Sequence, residues 1–285
     1  MPEQLTLETG PKLIAYLATL VCTGATVTMA LAGGPAARWA DDSIAGRARP
    51  LAVAAGLLAV VALGLRAVAH AVLVAGSLDA LDADTLRLVT VESRWGGGWR
   101  WQVLTAVAAT FAAWRARGAG GLPLLAAAVA AWCVVTPALG HGASTTWQRA
   151  THALHLGVSG AWIGTVLVLA WCLGRIGVPG QLENLHAVIR RFSPWALASA
   201  AMVGMSGLVL AVTYVGAVDA LWTTVYGRWL LAKLLVVAAL GACGFGNWRR
   251  SRADRPPIPA LIRGEAALAL LVLVLTAVLT ETEHN

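Results

Sequence analysis

The 285-residue chain is 58% hydrophobic and only 12% charged, and its mean hydropathy is +0.72. A soluble domain is about one quarter charged, so this composition excludes a soluble globular protein and indicates an integral membrane protein. The net charge of +7 sits at the edges of apolar stretches and forms no basic patch on a soluble domain, which argues against nucleic-acid binding.

Apolar stretches long enough to cross a bilayer recur along the whole chain and predict about eight transmembrane helices. In chain order, the predicted spans cover about residues 13–32, 51–76, 99–114, 122–139, 150–173, 192–215, 229–245 and 265–279. The first stretch is too long and too weakly cationic at its start to be a cleaved signal peptide. The predicted fold class is therefore all-α, a polytopic transmembrane helical bundle in which residues 1–285 form one integral-membrane domain surrounded by lipid.

Positive charge is distributed unevenly between alternate loops, and this asymmetry predicts the orientation. Thirteen of the 21 Lys and Arg residues lie in the odd-numbered predicted loops, whereas six lie in the termini and the even-numbered loops. The positive-inside rule then places the odd-numbered loops in the cytoplasm and both termini outside. In this topology five of the six histidines lie at or near the outer surface, and only His186 is cytoplasmic.

Two short segments of similar sequence precede spans three and seven. The segment T-V-E-S-R-W-G-G-G-W before the third span is similar to T-T-V-Y-G-R-W before the seventh. This similarity favours two tandem four-helix halves, about residues 1–140 and 141–285. Structural repeats that share one orientation in the membrane occur in transporters. A common turn at the membrane interface explains the same sequence similarity equally well.

Three histidines near the start of the fifth span, His141, His152 and His155, form the candidate metal site. His152 and His155 are three residues apart, so on a helix they share one face, and His141 precedes them on a loop. His70, late in the second span, is expected at the same surface. Imidazole suits copper and zinc, so these four residues predict a transition-metal site. The competing interpretation is that the histidines are interfacial polar residues at the start of a helix.

Sulfur-containing side chains at mid-membrane depth could carry a metal further. Met202 and Met205 lie three residues apart in the sixth span, and Cys133 lies in the fourth. Thioether and thiolate groups favour Cu(I), so these three residues form the candidate translocation path. Packing between helices is the competing interpretation, because methionine and buried cysteine fill gaps in apolar cores.

Three charged residues are predicted within the spans: Arg66, Lys233 and Glu265. A charge in the membrane is costly unless it faces a partner or a cavity. Arg66 lies past the middle of its span, and Asp79 or Asp82 in the following loop are candidate partners. Lys233 is close enough to the end of its span to extend its ammonium group outward.

Several short motifs are spread along the chain: Gly140-His141-Gly142, the His152 and His155 pair, Trp162-Ile163-Gly164, Arg191-Phe192-Ser193, the segment T-V-Y-G-R-W-L-L-A-K from Thr224 to Lys233, and Glu265 at the start of the last span. Together they resemble the copper resistance protein D family of bacterial inner-membrane proteins. The resemblance covers most of residues 50–280. The chain departs from the family pattern at Gly142, where the family has alanine.

The resemblance implies transport or delivery of a copper ion across the bacterial inner membrane, with copper accepted at His141, His152 and His155 on the periplasmic side. It assigns no role to Lys233 or Glu265. The chain carries no fused cupredoxin-like domain, so the resemblance also implies a separate periplasmic copper-binding partner of the CopC type. No nucleotide-binding loop or hydrolase motif is present, and we expect no enzymatic activity.

Two other functions are compatible with these residues. A b-type haem electron carrier would use His70 and His155 as an axial pair, although a second pair nearer the inside is lacking. An accessory subunit without a ligand of its own would tolerate replacement of the histidines.

Overall fold

The computed structural model describes residues 7–33, 39–40, 43–139, 145–176, 180–253, 255 and 258–282. All regular secondary structure within these ranges is helical. The long helices are α1 (Thr9–Ala32), α2 (Ile44–Ala75), α3 (Arg94–Arg115), α4 (Leu122–Val135), α5 (Thr146–Leu173), α6 (Gln181–Val215), α7 (Val225–Arg252) and α8 (Pro259–Glu281). Short helical segments lie between them at Ala83–Arg87, Leu88–Glu92, Ala119–Gly121, Thr136–Leu139 and Ala220–Thr223.

Seven of these helices, with α4 extended by its flanking turns, are long and apolar enough to cross a membrane. The exception is α3, which is 22 residues long but contains Arg94, Arg100 and Arg115. It packs against α2 on one side and α4 on the other. The predicted all-helical multi-pass bundle is therefore confirmed, whereas the number of eight spans and the outward position of both termini stay predictions.

Helix α1 occupies the centre of the bundle and contacts α2, α4, α5, α6 and α8. Small residues on α1 and α5 allow their backbones to touch. A Cβ atom added to Gly24 would lie 2.0 Å from the carbonyl carbon of Gly164, and one added to Gly164 would lie 1.9 Å from the carbonyl oxygen of Leu20. Only glycine permits so close an approach, which is a common way of packing membrane helices.

Helix α5 contains a π-helical turn at Gly160–Gly164, the segment that touches α1. Before this turn, α5 packs mainly against α6 and α4. After it, the helix packs against α1 and α8. The π turn therefore lies where α5 exchanges one set of neighbours for another, and turns of this kind often occur near functional sites.

The sequence similarity between the segments that precede α3 and α7 reflects the same type of N-terminal helix cap. A serine or threonine hydroxyl accepts a hydrogen bond from the backbone N–H of a glycine three residues later, which satisfies one of the free donors of the first turn. The pairs are Ser93 with Gly96 in α3 at 2.8 Å, Thr224 with Gly227 in α7 at 3.0 Å, and also Ser43 with Gly46 in α2 at 2.9 Å. Because α2 begins with the same cap, a recurrent turn accounts for the sequence similarity. The division into two tandem halves stays a prediction.

Candidate functional site

The histidines of α5 lie on its first turns and face α6. Thr145 caps the helix through a reciprocal capping box, which begins α5 before the predicted start of the span. Nε2 of His152 is hydrogen-bonded to Oη of Tyr214 at 2.8 Å, and Nδ1 of His155 to Oγ of Ser206 at 2.9 Å. Both rings are half-buried. The two imidazoles therefore share one face of α5, as their spacing predicts, and each is held by a hydroxyl of α6.

The hydrogen bonds around Ser206 determine the tautomer of His155. The hydroxyl group of Ser206 donates its single hydrogen to the carbonyl oxygen of Met202 at 2.6 Å. When it does so, its oxygen accepts from Nδ1–H of His155, and in the neutral ring Nε2 then carries the lone pair. A Cβ atom on Gly207 would come 3.3 Å from Cε1 of the same ring, so this glycine leaves space for the imidazole. A ring oriented through one nitrogen, with the other free, is the usual state of a metal-binding histidine.

A lysine of α7 completes this surface. Lys233 is half-buried and acts electrostatically on His155, as does His152. We call the group formed by His152, His155, Ser206, Tyr214 and Lys233 the histidine face. It contains imidazole and hydroxyl groups beside one positive charge.

The structure places His70, another of the predicted metal ligands, apart from the histidine face. His141 lies outside the described residues. Within the described part of the chain, no three His, Cys, Asp or Glu side chains are close enough together to hold a metal ion. His70, His152 and His155 are all described, so they do not share one site.

His70 belongs instead to a second polar cluster, which joins the segment before α1 to α2 and α3. Its Nδ1 donates a hydrogen bond to Oε1 of Glu8 at 2.6 Å, and Nε of Arg66 donates to Oε2 of the same carboxylate at 3.1 Å. Trp95 stacks on the His70 ring with 4.3 Å between ring centroids and lies 5.8 Å from the Arg66 guanidinium. We call these four residues the Glu8 cluster.

Glu8 forms an ion pair with Arg66 inside the helical bundle. Only 8% of Glu8 and 6% of Arg66 is exposed. Burial alone would raise the pKa of Glu8, but the hydrogen bond from His70 and the positive charge of Arg66 outweigh it and lower the pKa to about 2.

The suggestion that Arg66 pairs with Asp79 or Asp82 is therefore wrong. Asp82 accepts a hydrogen bond from the backbone N–H of Thr85 at 2.7 Å and caps the short Ala83–Arg87 helix. Glu8 was overlooked because it lies in the polar segment before the first span. A buried arginine at this depth requires a carboxylate from a neighbouring helix end, and Glu8 meets that requirement.

The candidate translocation path is not assembled in one place. Met205 is 63% exposed and Met202 is 37% exposed, so both side chains lie on the outer surface of the bundle. Cys133 is buried, and its Sγ lies 3.9 Å from Oγ1 of Thr23. Cys22, also buried, is close enough to Cys133 for the two thiols to interact electrostatically. The methionines and Cys133 therefore have separate surroundings.

Glu265, the last predicted intramembrane charge, lies far from the histidine face. It is 6% exposed and accepts a hydrogen bond from Nδ2 of Asn247 on α7 at 2.8 Å. It lines a cavity together with Ser193 of α6, which is thirteen residues before Ser206. Thirteen residues of α-helix span about 20 Å, so Glu265 and the histidine face occupy opposite ends of the same helices.

Comparisons with known proteins identify what the chain is similar to. The family described as "Copper resistance protein D-like, N-terminal domain" matches residues 9–151, and the family described as "Copper resistance protein D" matches residues 186–279. No solved structure matches.

Two relatives are similar along part of their length. The copper transport protein CutJ of Bacillus subtilis (strain 168) is 32% identical over 130 residues, which cover 45% of this chain and 24% of CutJ. The inner membrane protein YebZ of Escherichia coli (strain K12) is 27% identical over 209 residues, which cover 68% of this chain and 70% of YebZ. The chain thus spans about a quarter of CutJ. Neither of these names refers to haem, and the structure gives His70 and His155 separate hydrogen-bond partners, so the haem interpretation gains no support.

Proposed function

The chain belongs to the copper resistance protein D family, and from that premise we propose that it transports or delivers copper across the bacterial inner membrane. Copper is the substrate and is accepted at the histidine face. The observation that carries this proposal is the hydrogen bond between Ser206 and Nδ1 of His155, which orients the ring and leaves Nε2 as the coordinating nitrogen. Imidazole nitrogen is a suitable ligand for copper in either oxidation state.

His155 binds copper through Nε2, and His152 supplies a second imidazole from the adjacent turn of α5. When copper arrives, His152 turns from its hydrogen bond with Tyr214, at 2.8 Å, toward the metal. His141 is proposed as the third ligand, from the loop that precedes α5. The three residues follow one another along 15 residues of chain, so one loop and one helix end are enough to form the site.

The positive charge of Lys233 makes this a site for transient binding. A cation held by neutral imidazoles near an ammonium group is repelled, so binding is weaker than at a site of the same ligands without the lysine. A transport protein must release its ion as well as bind it, and moderate affinity serves that purpose. In this proposal Lys233 therefore sets the rate of release.

The proposed orientation places the histidine face on the periplasmic side. There it can receive copper from a soluble periplasmic carrier of the CopC type, and lipid surrounds the remaining faces of the bundle. The charge asymmetry of the loops supports this orientation.

The proposal is tested with the purified protein in detergent and the double variant His152→Ala, His155→Ala. We expect wild type to bind copper and the double variant to lose it, measured as copper per protein by elemental analysis after equilibration with Cu(I) or Cu(II). His186→Ala is the matched control, because His186 is a half-buried histidine at the other end of α6. This control should bind as much copper as wild type.

Different results would contradict the assigned copper site and the proposed function. Unchanged copper in the double variant would show that the histidine face is not the entry site, while copper handling itself would stand. Absence of copper binding by wild type, together with no copper uptake into proteoliposomes, would contradict the function.

A further inference from the structure

A cavity of about 100 Å³ lies between α5, α6, α7 and α8, at the end of the bundle opposite the histidine face. Its walls are mostly apolar and include Trp162, Ile189 and Phe192. Glu265 and Asn247 are the polar pair at its edge. The volume is large enough for several water molecules, which require polar partners to remain in such a space.

The hydrogen bonds of this pair are incomplete. Nδ2 of Asn247 donates to Oε1 of Glu265 at 2.8 Å, but Oδ1 of Asn247 is buried and has no hydrogen-bond partner among the described residues. A buried acceptor without a donor is unfavourable, because it has lost its hydrogen bond to water. A carboxylate cannot supply that donor, because in its charged form it only accepts.

Glu265 also lacks a compensating charge. Within the described ranges it forms no ion pair, and its hydrogen-bond partner is a neutral amide. An unpaired carboxylate that is 6% exposed is unfavourable in a membrane protein and marks a functional site by default. Both deficits, the missing donor and the missing positive charge, are removed by a single proton.

We propose that Glu265 and Asn247 form a proton-binding site inside the helical bundle. A proton from water adds to Oε2 of Glu265, the side chain changes from carboxylate to carboxylic acid, and its charge changes from −1 to 0. The new O–H group donates to Oδ1 of Asn247, which closes a ring of two hydrogen bonds between acid and amide. Loss of the proton to water reverses the step.

The surroundings favour a proton over a metal ion. Apart from Glu265, no side chain that lines the cavity from α5, α6, α7 or α8 is ionisable. Helix α1 also packs on α8, but its ionisable groups, Lys12, Tyr16 and Cys22, do not line the cavity. One carboxylate and one amide oxygen are too few ligands for a hard cation, and the site lacks the sulfur or imidazole that copper prefers.

A second, open pocket provides the route from solvent. It has a volume of about 330 Å³ and shares Ser193 and Trp248 with the cavity. Arg190 of α6 and Arg252 of α7 line it and are exposed. Protons therefore reach Glu265 from the end of the bundle that carries these arginines, which is the cytoplasmic end in the proposed orientation.

Infrared difference spectroscopy of the purified protein tests this site without copper. The protein is kept in a detergent that lacks ester and carboxyl groups, and spectra are recorded from about pH 6 upward, where carboxyl groups with ordinary pKa values are already ionised. We expect wild type to show a band of one protonated carboxyl group that titrates with pH, and Glu265→Gln to lack it. Glu183→Gln is the matched control, because Glu183 is an exposed carboxylate on α6, and it should keep the band.

The variant Asn247→Ala provides a second measurement on an intact Glu265. Its carboxyl C=O band should move to higher frequency, because the carbonyl loses the hydrogen bond from the amide. A wild-type spectrum without a titrating protonated carboxyl band would overturn the proposal, as would persistence of the band in Glu265→Gln. Displacement of the band by Na⁺ at constant pH would also overturn it and assign the site to a metal ion.

Discussion

Two arginine–glutamate pairs in this protein have the same length but different surroundings. In each pair Nε of the arginine lies 3.1 Å from a carboxylate oxygen of the glutamate. The side chains of Arg66 and Glu8 are 7% and 11% exposed, whereas those of Arg87 and Glu92 are 69% and 51% exposed. The variants Glu8→Gln and Glu92→Gln therefore compare a buried pair, which His70 also bonds, with an exposed pair of equal length.

We expect Glu8→Gln to lower the free energy of unfolding by about 3–5 kcal/mol, because it leaves the Arg66 charge buried without a partner. The pKa of Glu8 leads to a similar value. The pKa of Glu8 is lowered from 4.5 to about 2 by folding, and at about 1.4 kcal/mol per unit this corresponds to about 3 kcal/mol. Glu92→Gln should cost about 0–1 kcal/mol, as is typical of exposed pairs.

The same linkage predicts the pH dependence. Because the pKa of Glu8 is lower in the folded protein, its contribution is fully present above about pH 4.5 and is lost as the pH falls through 2. Wild type should therefore lose more stability than Glu8→Gln over this range. The difference between the two proteins should shrink toward zero at the acidic end.

Reversible unfolding in mixed micelles, followed by tryptophan fluorescence as the SDS fraction increases, measures these differences. The assay is run at neutral pH and again between pH 4.5 and 2. Equal losses in Glu8→Gln and Glu92→Gln would refute the reasoning, because the two pairs differ in burial and in the hydrogen bond from His70, and not in length. A constant gap between wild type and Glu8→Gln down to pH 2 would refute the assigned pKa.

Three further predictions concern packing, the histidine face and the thiols. Gly164→Ala should destabilise the protein by about 3 kcal/mol in the same unfolding assay, because the added Cβ would collide with the α1 backbone. Gly157→Ala is the control and should change stability by less than about 1 kcal/mol, because no atom lies within 4 Å of the added Cβ. Ser206→Ala should weaken copper binding more than Tyr214→Phe in a chelator competition assay, by about 10-fold, because only Ser206 fixes the tautomer of His155. Maleimide should label Cys243 of the native protein first, since the other three thiols are buried, and mass spectrometry would identify the labelled residue.

Much of the fold was predictable because the apolar stretches are long, yet several helix ends were not. Helix α2 begins at Ile44 and α6 at Gln181, seven and eleven residues before the predicted spans. Hydropathy detects only the part of a helix that is apolar enough for the bilayer, and both helices continue beyond it. The capping box of α5 is visible in the sequence as T-T-W-Q, and it would have corrected the start of that helix.

The candidate site was predictable only within one helix. Spacing places His152 and His155 on one face, but their partners Tyr214 and Ser206 lie more than fifty residues later, and only packing brings them together. The exposure of Met205 could not be predicted either, because a lipid-facing surface and a helix interface are equally apolar. Hydrophobic periodicity therefore carries little information inside a membrane.

The π turn of α5 preserves the rotational phase between the two ends of that helix. One residue of an α-helix corresponds to a rotation of about 100°, and a π turn accommodates one residue more than an α turn. In a continuous α-helix one additional residue would rotate His155 by about 100° relative to the wall of the cavity, whereas the π turn at Gly160–Gly164 absorbs that residue. The π turn thus keeps the histidine face at one end of α5 aligned with the Glu265 cavity at the other although the helix holds one additional residue.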